Sequence, residues 1–98
     1  CAPPVREYIV RIVAQTRKSE HLSLGASPRG SIYLMKAAQA LVALQGRTFV
    51  MPDDVQKMAI PVLAHRLIVR PEARLTGMTA DRVVKSILNS VEVPVVSA

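Results

Sequence analysis

Residues 25–55 read GASPRGSIYLMKAAQALVALQGRTFVMPDDV, and this stretch decides the fold. Ser27 suits an N-cap, Pro28 the first helical position, and Arg29 follows directly. From Ile32 to Leu44 the helix reads as apolar nearly all round, the pattern of a helix surrounded by others. Gly46 is placed to end it in the left-handed conformation. Pro52 then opens a further helix, with Asp53 and Asp54 in the first turn, where the helix dipole favours carboxylates. Two helices joined by a short connection call for more helices to cover them.

The flanking sequence supplies these. Pro3 and Pro4 open a segment whose Val5, Tyr8, Ile9, Ile12 and Val13 form one apolar stripe, with Arg6, Arg11, Arg17 and Lys18 largely off it. The stretch KSEHLSLGAS, 18–27, breaks that pattern and reads as a loop. Val55, Met58, Ala59, Val62 and Leu63 define the stripe of the third helix, which Pro61 should kink or divide. RTFV (47–50) and RLIV (66–69) are short and β-favouring, and pairing them would give a minimal two-stranded element. Pro71 to Gly77 reads as a turn-rich connection. A last helix starts after Thr79 as N-cap, carries Val83, Val84, Ile87, Leu88 and Val91, and stops by Pro94. The expectation is a mainly α fold, a small bundle of about four helices, in one domain spanning 1–98.

Composition narrows the chemistry. Half the residues are hydrophobic but only 3% are aromatic, so the core is aliphatic. No apolar run approaches the roughly 20 residues of a membrane span. Cys1 is the only cysteine and the two histidines lie far apart, so there is neither an internal disulfide nor a metal-ligand cluster. A reducing, cytoplasmic setting fits. Position 1 is Cys rather than Met, which reads as an excised piece of a longer protein. The net charge of +6 and a pI near 10.3 suit an anionic partner.

There is no G-x-x-x-x-G-K-[ST] loop, no G-x-G-x-x-G turn and no catalytic triad to nominate. His21 and His65 read as solvated or capping histidines, and Asp53 and Asp54, being adjacent on a helix, point apart. Arg29 is the exception, because a cation at a helix N-terminus opposes the dipole. It either pairs with Glu20 or one of the aspartates, or it awaits an anion. The compact Gly-Ala-Ser-Pro lead-in, the free first-turn N–H groups and the planar guanidinium fork together suit phosphate.

These residues resemble a family. GASPRG before an alanine-rich helix, then GRTFVMPDDV, then PVLAHRLIV, is similar to the C-terminal lid subdomain of MoxR-type AAA+ ATPases. YIVRIVAQTRKS resembles the first lid helix, ending in Thr16 and Arg17. The resemblance runs from about Tyr8 to Pro94 and implies a small helical lid following an α/β nucleotide-binding subdomain that is absent from this chain. It implies that Arg29 is the sensor-2 arginine that reaches the γ-phosphate of ATP, with Ser27 and Pro28 beside the nucleotide. ATP and Mg²⁺ would then belong to the full-length ATPase and not to the lid alone. The implied partners are the missing large subdomain, neighbouring subunits of a ring and a von Willebrand A-type protein, in a chaperone-like role. Two positions depart from the family pattern: Gly30 replaces a residue such as alanine, and Met51 replaces a hydroxyl N-cap. The alternatives are a basic helical nucleic-acid-binding module, which the scattered Lys and Arg residues disfavour, and a purely structural interaction bundle.

Overall fold

A computed structural model describes residues 3–94; Cys1 lies outside the described residues. Helix α1 (Pro3–Lys18) buries Val5, Tyr8, Ile9, Ile12 and Val13, the stripe expected from their spacing, and extends it to Thr16. Strand β1 (Leu22–Leu24) follows, then α2 (Arg29–Leu44), α3 (Pro52–Leu63), a 3₁₀ turn at Ala64–Arg66, strand β2 (Ile68–Val69), α4 (Pro71–Leu75) and α5 (Ala80–Ser90). One aliphatic core runs through the helices and both strands, from Val5 and Ile12 through Leu34, Val55 and Leu63 to Val84, while the 3₁₀ turn buries no residue. The fold is therefore a helical bundle with one small sheet.

Helix α2 buries only Gly30, Leu34, Ala38 and Val42, a single face at four-residue spacing. It is not surrounded, as its composition suggested. Helices α1 and α3 cover that one face, while Ile32, Tyr33 and Leu44 remain exposed. Its C-terminus behaves as expected. Gly46 has φ +71°, its N–H reaches the Ala43 carbonyl at 3.1 Å, and the Arg47 N–H reaches that of Val42 at 2.9 Å. This is the Schellman closure that satisfies otherwise orphaned carbonyls.

Residues 47–50 do not form a strand. The Arg47 guanidinium instead bonds both carboxylate oxygens of Asp54, with one contact at 2.9 Å, and the intervening chain folds into a tight connector that buries Val50. Asp54 is 1% exposed, so it is more than a solvated partner of the dipole. It also accepts the Met51 N–H at 2.8 Å. The N-cap that lacks a hydroxyl is thus compensated by the residue three places on, one half of a capping box. Arg47 holds the Asp54 carboxyl below the ordinary aspartate range, against the opposing effect of burial, and the Met51 N–H adds to the lowering.

The strand at 68–69 exists, but its partner is β1, antiparallel, with Leu22 opposite Val69 and Leu24 opposite Ile68 and an irregularity between the two pairs. Leu22 and Val69 point into the core, which explains why a stretch with loop-like composition becomes extended. The Arg70 N–H donates to the His21 carbonyl at 2.8 Å and Arg70 Nε to that of Leu22 at 3.2 Å. Helix α3 runs through Pro61 rather than dividing there. Pro61 faces outward while Ala59 and Leu63 are fully buried, and packing of that inner face carries the helix past the missing bond. Residues 71–75 form the short helix α4 in place of an irregular connection, and Gly77 (φ +89°) ends it. Thr79 caps α5 by accepting the Arg82 N–H, as its position predicted, and Val91 closes that helix before Pro94.

The Asp54 arrangement sets a pH dependence. A carboxyl whose native pKa is depressed stabilises the fold above its unfolded pKa of about 3.9, and the stability is lost as pH falls through the lower native value. Asp54→Ala should cost about 1–3 kcal/mol at neutral pH. Urea unfolding of parent and variant should show a gap that is full above about pH 5 and shrinks on acidification below about pH 4. A gap that widens with acid would contradict this assignment.

Candidate functional site

The turn between β1 and α2 is fixed from its inner side. Thr16 is buried at the end of α1, and its hydroxyl donates to the Val13 carbonyl at 2.6 Å and accepts the Ala26 N–H at 2.9 Å. Gly25 lies directly on the helix end. A Cβ there would stand 2.6 Å from the Thr16 carbonyl oxygen and 2.8 Å from the Arg17 Cα, both backbone atoms that cannot swing aside. Gly30 is buried, and a Cβ at that position would meet the Ala26 Cβ at 3.3 Å and Leu63 Cδ2 at 3.5 Å. A methyl here would crowd Ala26 within the turn and make ordinary contact with Leu63 of α3. Gly25, Ala26 and Gly30 form the inside of the turn, and Ser27, Pro28 and Arg29 form its exposed outside.

Ser27 does not cap through its side chain. Its carbonyl takes the Gly30 N–H at 2.8 Å and the Pro28 carbonyl takes that of Ser31 at 3.2 Å, while Pro28 (φ −54°, ψ −27°) already has helical dihedrals. Proline's ring sets this φ, so the backbone enters the helix without a hydroxyl cap. The first turn is consequently open at its end. Among the described hydrogen bonds, none engages the Arg29 N–H from outside the helix.

Arg29 is exposed and has no acidic partner. The ion pairs among the described residues are Glu7–Arg11 and Arg47–Asp54, so pairing of Arg29 with Glu20 or an aspartate is not made. One turn further on, at Tyr33, the Arg66 guanidinium lies over the ring, 4.2 Å from its centroid. Sequence reasoning missed this contact, because its two residues belong to different helices and neither breaks a local pattern. His65 is exposed in the 3₁₀ turn and His21 is half-buried just before β1. No group of metal-binding side chains occurs among the described residues. Beside the first two turns of α2 lies an apolar cleft of about 170 Å³, lined by Ile9, Val10, Ile32 and Met35 with Arg6 and Ser31 at its margin.

The clamp on the turn is testable without any ligand. Thr16→Val leaves the buried Ala26 N–H without an acceptor and should destabilise the fold by about 1–3 kcal/mol. Gly25→Ala should be at least as damaging, since backbone must move to admit the methyl. Thermal unfolding reads both, and amide exchange at Ala26 should accelerate selectively in Thr16→Val. Unchanged exchange at that amide would mean that the hydroxyl does not hold the turn.

Residues 14–87 match the AAA lid domain family. The chain is 50% identical over 91 residues to the uncharacterized protein YeaC of Bacillus subtilis, covering 93% of this chain and 28% of that protein. It is 36% identical over 101 residues to the chaperone MoxR1 of Mycobacterium tuberculosis, covering 94% of this chain and 27% of that one. A crystal structure from Cytophaga hutchinsonii, of a protein assigned to the ATPases, superposes with a TM-score of 0.88 at 27% identity, over 95% of this chain and 31% of that one. The chain thus spans less than a third of each of these proteins. With its helices closed around the turn that carries Arg29, it belongs to the AAA lid domain family and is a lid of the MoxR type.

Proposed function

We propose that Arg29 is the sensor-2 arginine of a longer AAA+ ATPase and that this lid uses it to read the γ-phosphate of ATP. The observation that carries the proposal is an exposed guanidinium without an acidic partner, on backbone clamped from behind. A guanidinium offers a planar, permanently charged fork that matches phosphate oxygens two at a time. The helix start adds the Arg29 N–H and the positive end of the helix dipole. The residues fit a phosphate chemically, because the Ser27 hydroxyl and the Arg29 guanidinium present donors and Pro28 between them brings no carboxylate. A bound phosphate also resolves the mismatch between a cation and this helix end.

The 98 residues hold no phosphate loop, so hydrolysis is assigned to a nucleotide-binding subdomain elsewhere in the longer protein, where ATP and Mg²⁺ would be held. The lid contributes the contact that disappears when the γ-phosphate leaves. That loss lets the lid rotate as a hinged body and passes the event to neighbouring subunits of a ring. The apolar cleft of Ile9, Val10, Ile32 and Met35 adjoins the same helix end and suits coverage by the large subdomain. A chaperone-like role, with a von Willebrand A-type protein as partner, follows the reading of the family. No described helix is long and apolar enough to cross a membrane, and the cytoplasm is the proposed location.

In the full-length protein, Arg29→Ala should lower ATP turnover by about a thousandfold, the scale of losing an arginine that stabilises phosphoryl transfer. Arg29→Lys should recover only part of it, since a point charge lacks the fork. Steady-state hydrolysis, with native electrophoresis to confirm assembly, reads this. Near-normal turnover in Arg29→Ala would remove Arg29 from the site.

A further inference from the structure

We propose that Arg66 is a second cation of the same phosphate site, held ready by the ring of Tyr33. This rests on the reading of Arg29 as a phosphate contact and extends it to a residue from another helix. Three observations bring the parts together. Tyr33 stands four residues after Arg29 on α2, on the same helical face, a spacing that sets Cβ atoms about 5–6 Å apart. The Arg66 guanidinium lies 4.2 Å from the Tyr33 ring centroid. The end of α3 is packed against the start of α2 at Gly30 and Leu63, so the 3₁₀ turn that carries Arg66 emerges beside the first turn of α2.

The stacked geometry matters chemically. An arginine resting on an aromatic face engages the ring through the face of its guanidinium, while its five N–H bonds point outward in the guanidinium plane. Arg66 is exposed and belongs to neither of the ion pairs among the described residues. Its donors are therefore open, and part of its rotamer freedom is already lost to the ring. Arg66 also sits at the C-terminal end of a helical segment, where the dipole favours a cation, so its charge is locally supported while that of Arg29 is not. Arg29 and the ring that carries Arg66 stand one turn apart on α2, and neither arginine is in a described ion pair; two such cations suit an anion with several charged groups in a row. A nucleoside triphosphate is such an anion. Arg29 takes its end, and Arg66 takes phosphate oxygens further along the chain.

The test compares variants of the full-length protein for binding of a non-hydrolysable ATP analogue and of adenosine, and for KM and kcat. Arg66→Ala should raise the analogue Kd and the KM for ATP about tenfold, the effect of one charge-assisted contact, and leave adenosine binding unchanged. Raising the salt concentration should narrow the gap, because the lost contact is electrostatic. Tyr33→Phe keeps the ring and should bind as the parent does. Tyr33→Leu should weaken the analogue as Arg66→Ala does, and the double variant should be no weaker than either alone. Parent-like analogue affinity in Arg66→Ala overturns the inference, whatever Arg29→Ala does. Equal losses for analogue and adenosine also overturn it, by showing that Arg66 only braces the lid. If Arg29→Ala hydrolyses normally while Arg66→Ala loses the analogue selectively, the sensor-2 reading alone falls and the Arg66 contact stands.

Discussion

The contact on which the rest depends is the seating of Gly25 on the carbonyl end of α1, closed by the bond from the Ala26 N–H to the Thr16 hydroxyl. It decides where the chain returns after β1, and hence where α2 begins. Thr16 is 1% exposed, so its hydroxyl had to find partners inside the protein, and it has both a donor and an acceptor there. The small sheet secures the other side of the same return. Leu22 is pinned against Val69, and Arg70 ties His21 and Leu22 to the chain that leaves α3. With the return fixed on both sides, α2 starts beside Leu63 at Gly30, and the α2–α3 packing that dominates the bundle follows.

Charge is used in two distinct ways. Arg47 and Asp54 are a structural pair: the carboxylate is buried, doubly engaged by the guanidinium and further bonded by the Met51 N–H. Its desolvation is offset because nearly every acceptor direction is filled. Arg29 and Arg66 show the opposite pattern. Both are exposed, neither has a carboxylate partner, and they stand at adjoining helix ends. All three arginines lie beside a helix terminus, and the position of the acids separates the scaffold pair from the other two. With a net charge of +6, the chain has too few acids to neutralise every cation.

Much of this was legible in the sequence wherever the determining interaction is local. The α1 stripe, the left-handed Gly46 and the Thr79 cap each depend on residues within a few places of one another, and each is present. The place of Arg29 at the start of a helix was legible for the same reason, since it is a property of one helix end. What was not legible depends on distant partners. Strand β1 exists because Val69, 47 positions away by subtraction of the paired residues, offers it an edge and a core. RTFV has comparable β propensity but no such edge, and Arg47 is drawn to Asp54 instead. The one-sided burial of α2 was hidden by its alanines and leucines, which suit either environment, and only the number of covering helices decides. The contact of Arg66 with Tyr33 needs α3 to end where α2 begins, which no window of the sequence contains.

The same asymmetry bears on how such a lid could transmit a signal. Inside the turn, Gly25 lies against the backbone at the end of α1 and the Ala26 N–H is held by a buried hydroxyl, so the backbone that carries Arg29 is fixed against α1. Packed interiors of this kind are not continuously deformable. Under the proposed role of Arg29, a force applied there by gaining or losing a phosphate would not be absorbed by the turn. It would pass through Gly25 to α1 and along α2 to α3, and the bundle would move as one piece. A flexible loop carrying the same arginine would bind phosphate too, but it would reorganise locally and leave the rest of the protein uninformed. In that role Gly25 is what would make the arginine's contact mechanical, because it brings the turn close enough to the end of α1 to be part of it.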